Sequence, residues 1–156
     1  MHIVECDPDV VLMSSLTLIP RRRIEHGNGK HQVLRRLLKH NDSIGMIDED
    51  PLSTQPQKYL QRFVVVDNSE ENRVRTLRYA HGNDRLIVLC PRLEEWIIES
   101  CRRIDVELRG YNLSDNGNQL HAEINFKLNR FQQLINDLVP QSEMLKALQN
   151  RLTDPL

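Results

Sequence analysis

The chain has 156 residues, 39% of them apolar and 28% charged, with a net charge of −1 at pH 7. That length and balance suit one compact domain with its own core, and they exclude a disordered chain or one drawn to nucleic acid by overall charge. No run approaches the roughly 18 unbroken apolar residues of a membrane span, and "MHIVECDPD" lacks the basic start and apolar stretch of a signal peptide, so a cytoplasmic protein with no membrane partner is expected.

In chain order, "HIVEC" reads as a short strand ending at Glu5, and "DPDVVLMSSL" as a helix with Asp7 as N-cap, Pro8 at the first helical position and Asp9 in the first turn. The segment Arg21 to His40 carries seven basic residues against Glu25 alone, and within it "HQVLRRLLKH" spaces Val33, Leu34, Leu37 and Leu38 as a helix does. "SIGMID" has the continuous apolar character of a buried parallel strand. Residues 51 to 60 read as a loop. "RFVVVD", "RVRTLRY" and "RLIVLC" are further strands, and "PRLEEWIIESCRRI" is a helix with Pro91 at its start. From Asn112 the pattern turns helical: one stripe from Leu120 to Leu138, a break at Pro140, then "SEMLKALQNRL" capped by Ser142. Strands alternating with helices predict an α/β fold, a mainly parallel sheet flanked by helices, with a helical C-terminal tail. A single domain over 1–156 is expected, its core about 1–110 and its tail about 111–156.

Acidic residues gather where such sheets collect functional groups, at the carboxyl ends of strands. Glu5 ends the first strand, Asp48, Glu49 and Asp50 end the "SIGMID" strand, and Glu94 and Glu95 follow "RLIVLC". If extended geometry persists to Pro51, Asp48 and Asp50 share one side, about 7 Å apart. Two such carboxylates can hold a hard divalent cation; the bland reading is a solvated loop. Glu5, with no helix to cap, would need a cation, an arginine or a raised pKa. Asp7 is explained by capping, and Glu94 and Glu95 by their place in a first helical turn. "GNGKH" falls short of a P-loop, with Ile24 where the first glycine belongs and His31 in place of Ser or Thr. Neither the six histidines nor Cys6, Cys90 and Cys101 show metal-ligand spacing.

The acids in "ECDPD" and "DED", in that order, resemble the ExxxD and DxD motifs of Toprim domains, the Mg²⁺-binding fold of topoisomerases, bacterial primases and OLD-family nucleases. With "GNGKHQVLRRLL" and "LEEW" added, the likeness extends over residues 1 to 104 and is greatest to small Toprim-like proteins of bacterial phage defence. The resemblance implies that Glu5 acts in general acid/base catalysis and that Asp48 and Asp50 hold Mg²⁺ (or Mn²⁺). It also implies a place for Asp9 and Glu94 among the metal ligands and for Lys30 at a phosphate. Cys6 stands where the family's first motif has glycine. The partner domains of topoisomerases and primases are missing, so the implied activity is Mg-dependent phosphodiester hydrolysis, a nuclease. Arg21, Arg22, Arg23, Arg35, Arg36 and Lys39 would track a DNA or RNA backbone by charge.

Two rivals stand beside this reading. A phosphorelay receiver also has acids after strand 1 and an Asp after strand 3, but it needs a lysine where "LIVLCPR" has Arg92. Alternatively, the chain is a non-catalytic Toprim-like subunit, its acids a structural group and its helical tail a docking surface for a larger ATPase or for a second copy in a homodimer.

Overall fold

Period-two alternation of apolar residues sets the two faces of the sheet. In the computed structural model, which describes residues 1–154, the strands are β1 (His2–Val4), β2 (Ile24–His26), β3 (Ile44–Asp48), β4 (Phe63–Ser69), β5 (Val74–Tyr79) and β6 (Arg85–Leu89). They form one sheet in the order β2-β1-β3-β6-β5-β4. The first four in that order run parallel, and β5 and β4 are antiparallel additions. Gly45 lies opposite Leu86, Met46 opposite Ile87 and Ile47 opposite Val88. Val4, Met46, Ile87 and Leu89 therefore feed one core, and Ile3, Ile47, Leu86 and Val88 the other. The fold is the expected α/β one, a mostly parallel sheet flanked by helices.

Among the described residues, seven helices cover the faces: α1 (Asp7–Thr17), α2 (Lys30–Leu37), α3 (Gln57–Leu60), α4 (Leu93–Arg103), α5 (Gly117–Glu123), α6 (Leu128–Leu138) and α7 (Glu143–Thr153). Val33, Leu34 and Leu37 of α2 pack on one face with Ile3, Ile47 and Leu86. Gly45 makes this possible, because a Cβ there would lie 3.1 Å from Leu37 Cδ2 and 3.3 Å from Leu86 Cδ1.

On the other face, α1 is apolar nearly all round. Val10, Val11, Leu12, Met13 and Leu16 are all buried. Such a helix must be covered on both sides, and α6 and α7 supply the second cover through Phe131, Leu134, Leu138, Leu145 and Leu148. The apolar stripes of the C-terminal helices are thus spent on the chain's own core.

Several local expectations change. The N-cap of α1 is Cys6, and Asp7 is the first helical residue. A three-residue strand, β2, lies inside the basic segment, and a four-residue helix, α3, inside the expected loop. Pro91 precedes the N-cap of α4, which is Arg92. The stripe from Leu120 to Leu138 is two helices. A 3₁₀ turn over Ile124–Phe126 redirects the chain, so that α5 packs on α4 and α6 on α1. Ser142 does cap α7, accepting the Leu145 amide at 3.3 Å.

Both ends of the described chain meet at the amino ends of the parallel strands. The Met1 carbonyl accepts the Ile44 amide at 2.9 Å, and Arg85 donates to the carbonyls of Arg151 and Asp154 at the end of α7.

Candidate functional site

Ligand sites in open α/β sheets form beyond the carboxyl ends of the strands, where the strand order reverses. Here that point lies between β1 and β3, since the chain places β2 on one side of β1 and β3 with β6 on the other. Glu5 follows β1 and Asp48 ends β3, so both stand at this lip.

Backbone amides hold these carboxylates. Glu5 Oε1 accepts the Asp48 amide at 2.7 Å, and Asp48 Oδ1 accepts the amide of Leu93, the first residue of α4, at 2.9 Å. Asp9 Oδ2 reaches back to the N-cap of its own helix, accepting the Cys6 amide at 3.2 Å and the Cys6 thiol at 3.1 Å. Glu94, 5% exposed, sits one residue into α4. Its Oε1 lies 2.8 Å from His121 Nδ1, and its Oε2 is buried with no hydrogen-bond partner.

Three of these acids, Glu5, Asp9 and Asp48, hold protons more tightly than a free carboxylate does. Burial, then the charges of Asp9, Glu5 and Glu94, push Asp48 up to about 9. Burial and the charges of Glu5 and Glu94 take Asp9 to about 7, against the pull of its bonds from Cys6. Glu5 is also raised by burial, while the Asp48 amide and the nearby Lys30 ammonium draw it down. Such shifts mark a group of like charges withdrawn from water.

The glycine-rich loop delivers Lys30 to this lip. Gly27 donates to the Val4 carbonyl at 2.7 Å and Gly29 to that of Glu5 at 3.4 Å, stitching the loop along the end of β1. A Cβ on Gly27 would meet Val33 Cγ2 at 2.6 Å, and Gly29 holds a φ of 107°, where glycine is favoured. Lys30 Nζ then donates to the Glu49 carbonyl at 2.7 Å and to Gln55 Oε1 at 3.2 Å.

The three consecutive acids take three separate courses. Asp48 turns to the amide of α4, Glu49 pairs with Arg75, and Asp50 adopts a left-handed φ of 40° with its amide donating to the Pro91 carbonyl at 2.7 Å. The strand stops at Asp48, so the alternation expected to set Asp48 beside Asp50 does not run on. Asp50 nonetheless stays near the lip, where its charge acts on Glu5 and on Arg92.

Glu5, Asp9, Asp48 and Glu94 are thus brought together, with Lys30 and Asp50 beside them. The basic residues expected to bind nucleic acid are not. Arg21, Arg22 and Arg23 immediately precede β2 and lie at the opposite, amino edge of the sheet, Arg21 bonded to Gln132. Arg36 pairs with Glu25 on the outer strand, Arg35 lies farther along α2 and Lys39 just past its C-cap Leu38, away from the Lys30 end. Sequence reasoning missed His121. Its approach to Glu94 depends on α5 packing against α4, and no local pattern announces that.

The acids at the lip offer carboxylate oxygens, the type a hard divalent cation takes, and Glu94 Oε2 has no hydrogen-bond partner. The arrangement is not a preformed cage: among the described residues, no group of three or more His, Cys, Asp or Glu side chains is set to hold a metal ion. No protein-family model matches the chain, and neither curated proteins nor solved structures provide a match.

Proposed function

We propose that the chain is a Mg²⁺- or Mn²⁺-dependent phosphodiester hydrolase of Toprim-like type, acting on nucleic acid. The observation that supports it best is the convergence of four carboxylates on one strand-end lip, with Glu94 Oε2 buried and unpartnered. Asp48, with Asp9, Glu94 and Asp50, would hold the cation, which supplies Lewis-acid activation of a phosphoryl group and of water. Glu5 is fixed by the Asp48 amide, and burial holds its proton into a higher pH range, the property of a group that gives and takes protons at Oε. Lys30 sets a cation beside these acids where a phosphate would approach. The place of such a protein in phage defence rests on the resemblance alone.

A second reading is a non-catalytic subunit. It is favoured by the use of Glu5 and Asp48 as acceptors for backbone amides, which ties β1, β3 and α4 together without any metal. Calorimetric titration with Mn²⁺ separates the two. A nuclease gives binding heat and a rise in Tm, both lost in Asp48→Asn, whereas a wild-type protein that gives neither is the subunit.

A further inference from the structure

Strand β4 has a strand neighbour on one side only, so along its outer side amides and carbonyls face away from the sheet. It is seven residues long, and Val64, Val65 and Val66 on it are 51, 57 and 45% exposed. Edge strands of monomeric proteins are blunted by lysine, proline, a β-bulge, inward-facing charge or a covering helix. The run Phe63–Val66 has no charge and no proline, and the one blunting device within β4 is the register shift between Val65 and Asp67, at the carboxyl end of that run. The apolar surface continues inward across Leu77, which lies opposite Val65, and Leu60, both only partly buried.

Charge at the two ends of the strand says what fits it. Lys58 and Arg62 are exposed at its amino end, and Glu70 and Glu71 at its carboxyl end. Asp67 is already answered within the chain by Arg151. A strand laid antiparallel with the same end charges sets basic against acidic twice, while a parallel copy sets like against like. A two-fold axis perpendicular to the sheet produces that antiparallel pairing, as closed two-fold dimers require.

We propose that β4 pairs antiparallel with β4 of a second copy of this chain, joining the two six-stranded sheets into one. The dyad reverses strand direction, so the two acidic lips open on opposite edges of the joined sheet.

The test uses the intact chain. Sedimentation equilibrium is expected to give twice the chain mass at high concentration, and hydrogen exchange to show amides of residues 63–69 gaining protection as concentration rises. Val65→Lys, at a side chain that the single chain leaves exposed, is expected to sediment as a monomer with unchanged circular dichroism. Arg62→Glu is expected to weaken the dimer, and Arg62→Glu with Glu70→Arg to restore it. A wild-type chain that stays monomeric overturns the proposal. So does a dimer whose β4 amides exchange at a rate independent of concentration. Neither result bears on metal binding at the acidic lip.

Discussion

Asp48 Oδ1 accepts the amide of Leu93 at 2.9 Å, fastening the last residue of β3 to the first residue of α4 across a gap of 45 positions in the chain. The same carboxyl is pushed up to about 9 by burial and by its acidic neighbours. One side chain therefore serves as a structural acceptor while repelling the group around it.

Stability should consequently fall as pH rises. Asp48 and Asp9 have ordinary values of 3.8 and folded values of about 9 and about 7. Between those limits the folded chain binds more protons than the unfolded one, so unfolding free energy declines with pH. The slope is about 1.4 kcal/mol per pH unit for each carboxyl protonated only when folded. Urea denaturation in divalent-free buffer is expected to show a more stable protein near about pH 5 than near about pH 8. Asp48→Asn keeps an oxygen for the Leu93 amide and flattens the slope. A wild-type profile that is level or rises over this range would contradict the assignment.

Gly27→Ala should destabilise the fold by about 1–3 kcal/mol, the usual cost of overfilling a packed site. Its methyl group would fall 2.6 Å from Val33 Cγ2 and 3.1 Å from the Val4 carbonyl oxygen, so the loop must lift from β1. The change is read as a lower urea midpoint with an unchanged slope.

His121 is expected to matter through Glu94. Removing it in His121→Ala leaves Glu94 without a side-chain partner at either oxygen, a loss of about 1 kcal/mol. His121→Asn, which keeps a donor, should recover part of it. Thermal melts of the three proteins decide the matter, and equal Tm values for all of them would remove His121 from any supporting role.

Under the proposed function, position at the lip, rather than local charge, should govern activity. On a labelled oligonucleotide with Mn²⁺, Lys30→Met is expected to lower hydrolysis by about tenfold or more, as loss of a charge-stabilising group does. Replacing Arg21, Arg22 and Arg23 together by alanine should leave the rate unchanged, because those residues lie at the far edge of the sheet. The reverse result would mean that substrate crosses the amino edge.

Elements whose pattern is set by one neighbour were legible in the sequence. The buried strands β3 and β6 showed as continuous apolar runs and the helix α4 in its periodicity, and Ser142 showed as a cap. Glu5 and Asp48 could be singled out because each sits at a strand end, whereas the first-turn positions of Asp9 and Glu94 have a structural explanation and only the resemblance drew them in. What depends on distant packing was not legible. Three residues of β2 are too few to alternate, and its edge position leaves Glu25 and His26 exposed. The left-handed backbone at Asp50 has no glycine to announce it. The stripes of α6 and α7 show an apolar face but not that α1 fills it, and the basic run shows charge but not which edge of the sheet bears it.

The meeting of Met1 with Ile44, and of Arg85 with the end of α7, has a practical consequence. A tether attached at Met1 departs from the amino ends of the parallel strands, whereas Glu5 and Asp48 stand at their carboxyl ends. A surface-immobilised protein would then present its acids outward to whatever is flowed across it.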